Sequence, residues 1–398
     1  MSTEVVSPSY TVSKPGRVPI KSWARDLEAK ALEQAINLSN LPFAIRHVAL
    51  MPDAHAGYGM PIGGVLFADK AIVPYAIGVD IGCGVALAET DLSVDSLNRD
   101  ELDRTLAEIY ARVPVGMRSQ PEAVDPEAAL SQIGMKLPGS IDAAWFARAV
   151  NQLGTLGSGN HFLEVQRDED GRVYVMLHSG SRSLGKTICD AFHKLALREK
   201  RWHSPLPDPE LAYLPLGTDG CKGYWDAMTF ALRFAEVNRS RMLDAAQIAF
   251  GMHAKIGRFD RLVDVHHNYA AWETHFGQVG IVHRKGAVRA GAGETVLIPG
   301  SMGTASYVAE GLGNPESFHS CQHGAGRAMS RTAARKAMSS GELFDEMERL
   351  GVLIHSGDPR TASEEAPFAY KDIETVMAAS TDLIRPTRRL TPLGVVKG

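Results

Sequence analysis

The chain has 398 residues, 44% of them hydrophobic and 22% charged, with a formal net charge of −4. That composition is ordinary for a globular protein and excludes wholesale disorder, a collagen-like repeat and a surface coated in positive charge, so a nucleic-acid partner would need a local basic cleft. No stretch approaches the ~20 apolar residues of a membrane span, and the polar, proline-containing start lacks a hydrophobic signal region, which predicts a cytoplasmic protein with no membrane partner.

In chain order, residues 1–20 read as an extended lead-in. Apolar positions at Ala24, Leu27, Ala31, Ala35 and Leu38 predict an amphipathic helix. The run from Val48 to Glu89, dense in glycine and valine, reads as short strands joined by tight turns, with its polar residues at strand ends. Leu102, Leu106, Ile109 and Val113 predict a second helix, stopped by Pro114. A proline-rich loop over 204–217 precedes a long helical pattern from about Tyr224 to Phe250. The loop is a candidate domain boundary, yet glycine-rich polar motifs continue on both sides of it. With no repeat of solenoid period, these readings predict one compact α/β unit over 1–398 with inserted helices. The four cysteines, Cys83, Cys189, Cys221 and Cys321, are too few and scattered for a disulfide framework and read as reduced thiols.

The chemistry-bearing residues fall in glycine-rich segments. In GVDIGCGVAL, Asp80 and Cys83 stand three residues apart in a turn whose glycines let both face one point. Thiolate is a soft ligand able to bridge two metals, and carboxylate supplies a hard oxygen. GTLGSGNHFLEV sets Asn160 beside His161, with Glu164 shortly after, and neutral imidazole is a common ligand. VYVMLHSGSR ends a strand with His178 and follows it with a Ser/Gly/Arg turn suited to an anion. LVDVHHNYA ends another apolar run at His266, His267 and Asn268. Any one of these histidines is more often a hydrogen-bonded core or surface residue than a ligand. Together with Asp80 and Cys83, however, the three strand-end sites supply enough N, O and S donors for two transition metals. CQHGAGRAMSRTAARK places His323 before two glycines and then Arg327, Arg331 and Arg335 at four-residue intervals. A helix after Gly326 would put the arginines on one face, suited to phosphate with His323 free as nucleophile, and equally a solvated basic face.

Gly180 to Thr187 (GSRSLGKT) matches the P-loop pattern GxxxxGK[ST], after a strand and before a helix, and Asp264 ends a later hydrophobic run as a magnesium carboxylate would. A P-loop NTPase is therefore the alternative reading. It leaves the clustering of Asp80, Cys83, Asn160, His161, His178, His267 and His323 in glycine turns unexplained.

The ordered set DIGCG, GNHF, HSGSR, HHN, IPGSMG, HGAGR and a terminal VKG resembles the RtcB family of RNA-splicing ligases, from about Val48 to Gly398. The resemblance implies an RtcB-like α/β domain of mixed β-sheets with surrounding helices and a deep metal-containing cleft. It implies two Mn2+ ions and the joining of RNA 2′,3′-cyclic phosphate or 3′-phosphate ends to 5′-hydroxyl ends with GTP, in tRNA splicing or RNA repair. By motif, it implies that Cys83 bridges both ions, that His178 and His267 complete one and Asp80 and His161 the other, and that His323 takes up GMP covalently. It implies guanosine contacts at Asn160, Glu164, Ser306, Tyr370 and Lys397, a pocket lined by Pro299, Gly300, Ser301, Met302 and Gly303, and RNA-phosphate contacts at Arg148, Arg182, Arg327 and Arg331. An archease-type activator is a further partner the resemblance raises. A third reading, a non-catalytic protein that binds RNA ends, runs against retention of the nucleophile and all five ligand positions. The stretches 111–153 and 338–364 carry no sharp motif, and the GKT after HSGSRSL lies outside the family pattern.

Overall fold

The computed structural model describes residues 9–199, 205–254, 258–358 and 362–398, and among them the glycine- and valine-rich runs form two large sheets. The six-stranded sheet has the order β1 (Thr11–Ser13), β2 (Ile20–Ser22), β3 (Ala44–His55), β4 (Ile62–Ala68), β12 (Gln278–Lys285), β11 (Asn268–His275). The eight-stranded sheet runs β10 (Phe259–His266), β6 (Gly84–Ser93), β8 (Arg172–Ser179), β7 (Phe162–Arg167), β18 (Ile384–Lys397), β15 (Ser306–Gly311), β14 (Thr295–Ile298), with β17 (Leu353–Ser356) parallel to β18. Two short ribbons pair β5 (Ala71–Ile72) with β9 (Leu214–Pro215) and β13 (Ala287–Arg289) with β16 (Ser320–Gln322).

Strand alternation decides which residues face the site. On β8, Val173, Val175 and Leu177 join the apolar layer made by α2 (Arg99–Arg112) and α6 (Asp219–His253), while Tyr174 and Met176 face the opposite layer with α8 (Ser340–Arg349). His178 follows the second set. On β7, Leu163 and Val165 take the helix-covered face and leave Phe162 and Glu164 on the other; on β18, Val396 goes one way and Val395 and Lys397 the other. Because Phe162 pairs with both His178 and Lys397, three polar side chains far apart in sequence, Glu164, His178 and Lys397, share one face.

The helices largely follow the predicted periodicity, with differences at their ends. α1 spans Ala29–Ser39, so Ala24 and Leu27 precede it; the chain there is still tied to the sheet by the Trp23 N–H donating to Leu50 O at 2.9 Å. α2 stops at Arg112, and Val113 turns to extended backbone because Pro114 follows. α6 starts at Asp219, ahead of the predicted Tyr224, where the Thr218 hydroxyl caps the Cys221 N–H. Within the proline-rich loop Leu211 and Leu214 are fully buried and β9 pairs with β5, while Ser204, like residues 1–8 of the lead-in, lies outside the described residues. The remaining helices are α3 (Pro126–Ile133), α4 (Ala143–Val150), α5 (Ser183–Arg198), α7 (Arg331–Ala337) and α9 (Ile373–Ala378). The arginine stripe is corrected, because Ser330 caps α7 and leaves Arg327 in irregular backbone, bridged to Tyr370, rather than on a helical face. No helix among the described residues is long and apolar enough to cross a membrane.

Candidate active site

The two sheets pack through a shared core of Met51, Val65 and Phe67 against Val296, Ile298 and Tyr307, and the chain passes directly from one to the other at His267. His267 lies between β10, an edge of the eight-stranded sheet, and β11, an edge of the six-stranded one, and its N–H donates to Cys83 O at 2.9 Å. Cys83 comes from the turn before β6, where Gly82 adopts φ +74° and a Cβ would sit 3.0 Å from Ala235 Cβ of α6. A side chain there would be strained twice over. Gly180 allows a close approach of another kind, since its Cβ would fall 2.3 Å from Asp80 Oδ1.

Cys83 Sγ stands between two pairs of side chains, 3.4 Å from His161 Nε2 and 3.2 Å from His178 Nε2. His161 Nε2 lies 3.0 Å from Asp80 Oδ2, and His178 Nε2 lies 3.3 Å from His267 Nε2. His161 Nδ1 donates to Leu156 O at 2.9 Å and His178 Nδ1 to Asn160 O at 3.1 Å. Those outer hydrogen bonds fix the tautomers and turn each Nε2 lone pair inward. Electron pairs that face one another at these distances repel unless a proton or cation stands among them. The sulfur of Cys83 and the nitrogens of His161 and His178, flanked by the Asp80 carboxylate and His267, fit a transition metal.

Electrostatics agree with that donor set. Burial, then the charges of neighbouring histidines, holds His178 and His267 well below the ordinary imidazole range, so both are neutral. Burial works to raise the Asp80 carboxyl, but His161 and then Arg182 hold it lower, leaving it ionised. Burial and the Asp80 charge push the Cys83 thiol well up, so it is a thiol until a cation draws off its proton.

A cavity of about 1170 Å³ opens over this cluster, lined by Asp80, Cys83, Asn160, Glu164, His178, His267, Pro299, Gly300, Ser301, Met302, His323, Arg327, Arg331, Tyr370 and Lys397. His323 follows β16, and its ring centroid is 4.8 Å from that of His267. Its Nδ1 donates to Oδ2 of the buried Asp53 at 2.6 Å, which leaves the lone pair on Nε2. On the opposite wall, burial raises Glu164 to about 8, against the hydrogen bond from Gln166 and the charge of Lys397. Lys397 is buried and donates to Gly159 O at 3.2 Å. Arg327 Nη1 and Arg331 Nε each donate to Glu365, at 3.0 and 3.1 Å, and the Tyr370 hydroxyl donates to the same carboxylate.

Other expected site residues stand elsewhere. Ser306 lies behind the lining, where its Oγ accepts from Gly300 N at 3.1 Å, and Gly303 packs against Leu350 and Pro367. Arg182, at φ 59°, turns its guanidinium under the cluster, with Nη1 3.4 Å from His161 Nδ1 and Nε donating to Thr155 Oγ1 at 3.2 Å. Arg148 lines a separate cavity of about 600 Å³ with Trp145, Gln152 and Thr187. GSRSLGKT does not build a phosphate-cradling loop: α5 already begins at Ser183, Gly185 packs under Ile81, and Lys186 is exposed and paired with Asp190. Asp264 is engaged by Arg239 Nε at 2.8 Å. Sequence reasoning missed Asp53, Gln166 and Glu365. A lone carboxylate inside the apolar run ALMPDAH was a usable signal for Asp53, whereas Glu365 in SEEAP resembles any solvated acid.

The comparisons with known proteins agree over most of the chain. The family model described as tRNA-splicing ligase RtcB matches residues 34–398. The RNA-splicing ligase RtcB of Escherichia coli (strain K12) is 38% identical over 419 residues, covering 98% of this chain and 100% of that protein. The tRNA-splicing ligase RtcB of Pyrobaculum aerophilum is 35% identical over 462 residues, covering 96% and 95%, and the RNA-splicing ligase RtcB of Mycobacterium tuberculosis is 35% identical over 438 residues, covering 92% and 100%. Similarity of that extent shows that the chain belongs to the RtcB family of RNA-splicing ligases.

Proposed function

We propose that this protein is a GTP-dependent RNA ligase that joins 2′,3′-cyclic phosphate or 3′-phosphate ends to 5′-hydroxyl ends, in tRNA splicing or RNA repair. The observation that carries the reading is His323, oriented by Asp53 and facing the same cavity as the Cys/His/Asp cluster. A histidine with Nδ1–H held by a carboxylate presents Nε2 as a nucleophile, and the carboxylate offsets the positive charge the ring acquires on attack.

In this reading His323 Nε2 bonds to the α-phosphorus of GTP as the bond to pyrophosphate breaks. The resulting GMP passes to an RNA 3′-phosphate, formed from a cyclic end by water, and restores the histidine lone pair. Attack by a 5′-hydroxyl on the activated phosphorus then forms the phosphodiester and releases GMP. Two Mn2+ ions, one held by Asp80 and His161 and the other by His178 and His267, with Cys83 shared, would supply positive charge to the phosphate oxygens. What supports that division is the position of Cys83 Sγ between the two pairs. Asn160, Glu164, Tyr370 and Lys397, with residues 299–303 and Ser306 behind them, would hold the guanosine, and Arg327 and Arg331 the RNA phosphates. Arg182 and Arg148 are assigned to a further course of the RNA, away from the main cavity. An archease-type activator and a cytoplasmic setting complete the proposal.

The test is incubation with α-labelled GTP and manganese, followed by denaturation. Acid-labile label on the wild-type protein, absent in His323→Ala, is expected. Metal-loaded wild type that takes up no label would overturn the reading.

A further inference from the structure

Asp53 carries two imidazoles, not one. Its Oδ2 holds His323, and its backbone O accepts a hydrogen bond from His55 Nδ1 at 2.9 Å. His55 is the last residue of β3 and lines the main cavity, so its Nε2 keeps a lone pair on that side of the molecule. The reaction sequence proposed above gives His55 no task. Around it stand Asp53, His323 and Lys371, whose Nζ donates to Ala54 O at 2.8 Å, while Glu28 accepts from the N–H of Ala56. Burial, and to a smaller extent the His323 and Lys371 charges, hold His55 down at about 4 against the pull of Asp53, so it stays uncharged at neutral pH.

The two walls of the cavity decide what that lone pair serves. Asn160, Glu164 and Lys397, three of the residues assigned to guanosine, belong to the eight-stranded sheet and its approach. Asp53 and His55 belong to the six-stranded sheet across the seam. Displacement at phosphorus is in line, with the entering oxygen opposite the departing one. His55 shares Asp53 with His323 and lines the same cavity, so a hydroxyl brought in over the six-stranded sheet meets the His55 ring beside the reacting phosphate.

We propose that His55 accepts the proton of the 5′-hydroxyl in the joining step, with the hydroxyl-bearing strand entering along the six-stranded sheet. The hydroxyl oxygen bonds to the RNA 3′-phosphorus, and the bond from phosphorus to GMP breaks with its electron pair leaving on GMP. The proton passes to His55 Nε2 and from there to solvent. An anionic phosphate beside the ring raises its basicity for this purpose.

The inference rests on the proposed function, and the experiment separates the two. Single-turnover joining of a pre-formed RNA(3′)pp(5′)G end to a 5′-hydroxyl RNA is measured beside guanylylation from labelled GTP, in wild type, His55→Gln and His55→Ala. Joining slower by about 100-fold in both variants is expected, with guanylylation within about threefold of wild type and partial recovery of His55→Ala by added imidazole. Unchanged joining would overturn the assignment. An equal fall in both steps without imidazole rescue would also overturn it, since His55 would then act only by positioning Asp53. Absence of guanylylation in wild type would instead remove the proposed function, and this inference with it.

Discussion

Asp53 grips His323 through a single carboxylate oxygen, Oδ2, which accepts from the ring Nδ1 at 2.6 Å and from the backbone N–H at 3.1 Å. The two contacts fix both the tautomer and the direction of the ring. Asp53→Asn replaces the acceptor with an amide that can pair with the opposite tautomer and turn the Nε2 lone pair away. The rate of label transfer from GTP to the protein should fall by about 100-fold or more while the melting temperature changes little. A labelling rate within threefold of wild type would separate His323 from its supposed orienting partner.

Metal uptake should release protons. Cys83 is a thiol at neutral pH in the metal-free protein and must ionise to ligate. Calorimetric titration with Mn2+ in buffers of differing ionisation enthalpy should show net proton release, and apparent affinity should climb with pH. Cys83→Ser should bind less metal by elemental analysis. Proton-neutral binding at pH 7 would mean that the sulfur is not a ligand.

Nucleotide affinity should depend on pH through Glu164. Guanine offers N–H donors that an ionised carboxylate accepts, yet in the unliganded protein Glu164 loses its proton only near about 8. Because the raised value keeps the acid neutral below that point, GTP binding should strengthen as pH rises from 6.5 and level off above about 8. Glu164→Gln should bind more weakly and flatten the profile. A fluorescent GTP analogue reads both.

Lys186 should be dispensable for nucleotide use. It is exposed on the first turns of α5 and paired with Asp190, so Lys186→Ala should guanylylate within about twofold of wild type where His323→Ala does not. Parallel loss in the two variants would revive the P-loop reading.

Glu273 should matter to stability and not to chemistry. It pairs with the fully buried Arg284, whose Nη2 donates to it at 3.1 Å and to Phe318 O at 2.9 Å. Burial opposes ionisation of Glu273, but His275 and Arg284 prevail and hold it at about 2. Glu273→Ala leaves the guanidinium without its counter-charge and should cost about 3–5 kcal/mol in denaturant unfolding. The folded carboxyl is the lower one, so the pair stabilises fully above the ordinary glutamate range and its contribution fades as pH falls toward about 2.

The candidate ligands were legible because metal chemistry narrows residue types and glycine turns mark where the chain comes close to itself. Asp80, Cys83, His161, His178 and His267 each sit at a strand end or in a turn, and the cluster required only that those ends converge. Asp53 and Glu365 were not legible for a different reason. Each acts through a partner about 270 or 34–38 residues away, and nothing local distinguishes such a carboxylate from a solvated one. The arginine repeat shows the reverse error, where a helical interval carried no helix because Ser330 begins one only at Arg331. Strand existence over 48–89 followed from composition, but the division of those strands between two sheets did not, since periodicity reports which face is apolar and not which neighbour covers it.

The passage of the chain from one sheet to the other at His267 makes the cluster a gauge of alignment. Each sheet carries part of the candidate set, Asp53 on the six-stranded one and His178 on the eight-stranded one, and a slide of one against the other would shift the 3.3 Å approach of His178 Nε2 to His267 Nε2 at the seam. A substitution deep in either sheet's own packing, remote from every polar residue named above, therefore acts on chemistry as a change of calibration. The fold would survive such a change while its two halves no longer agree on where the phosphate belongs.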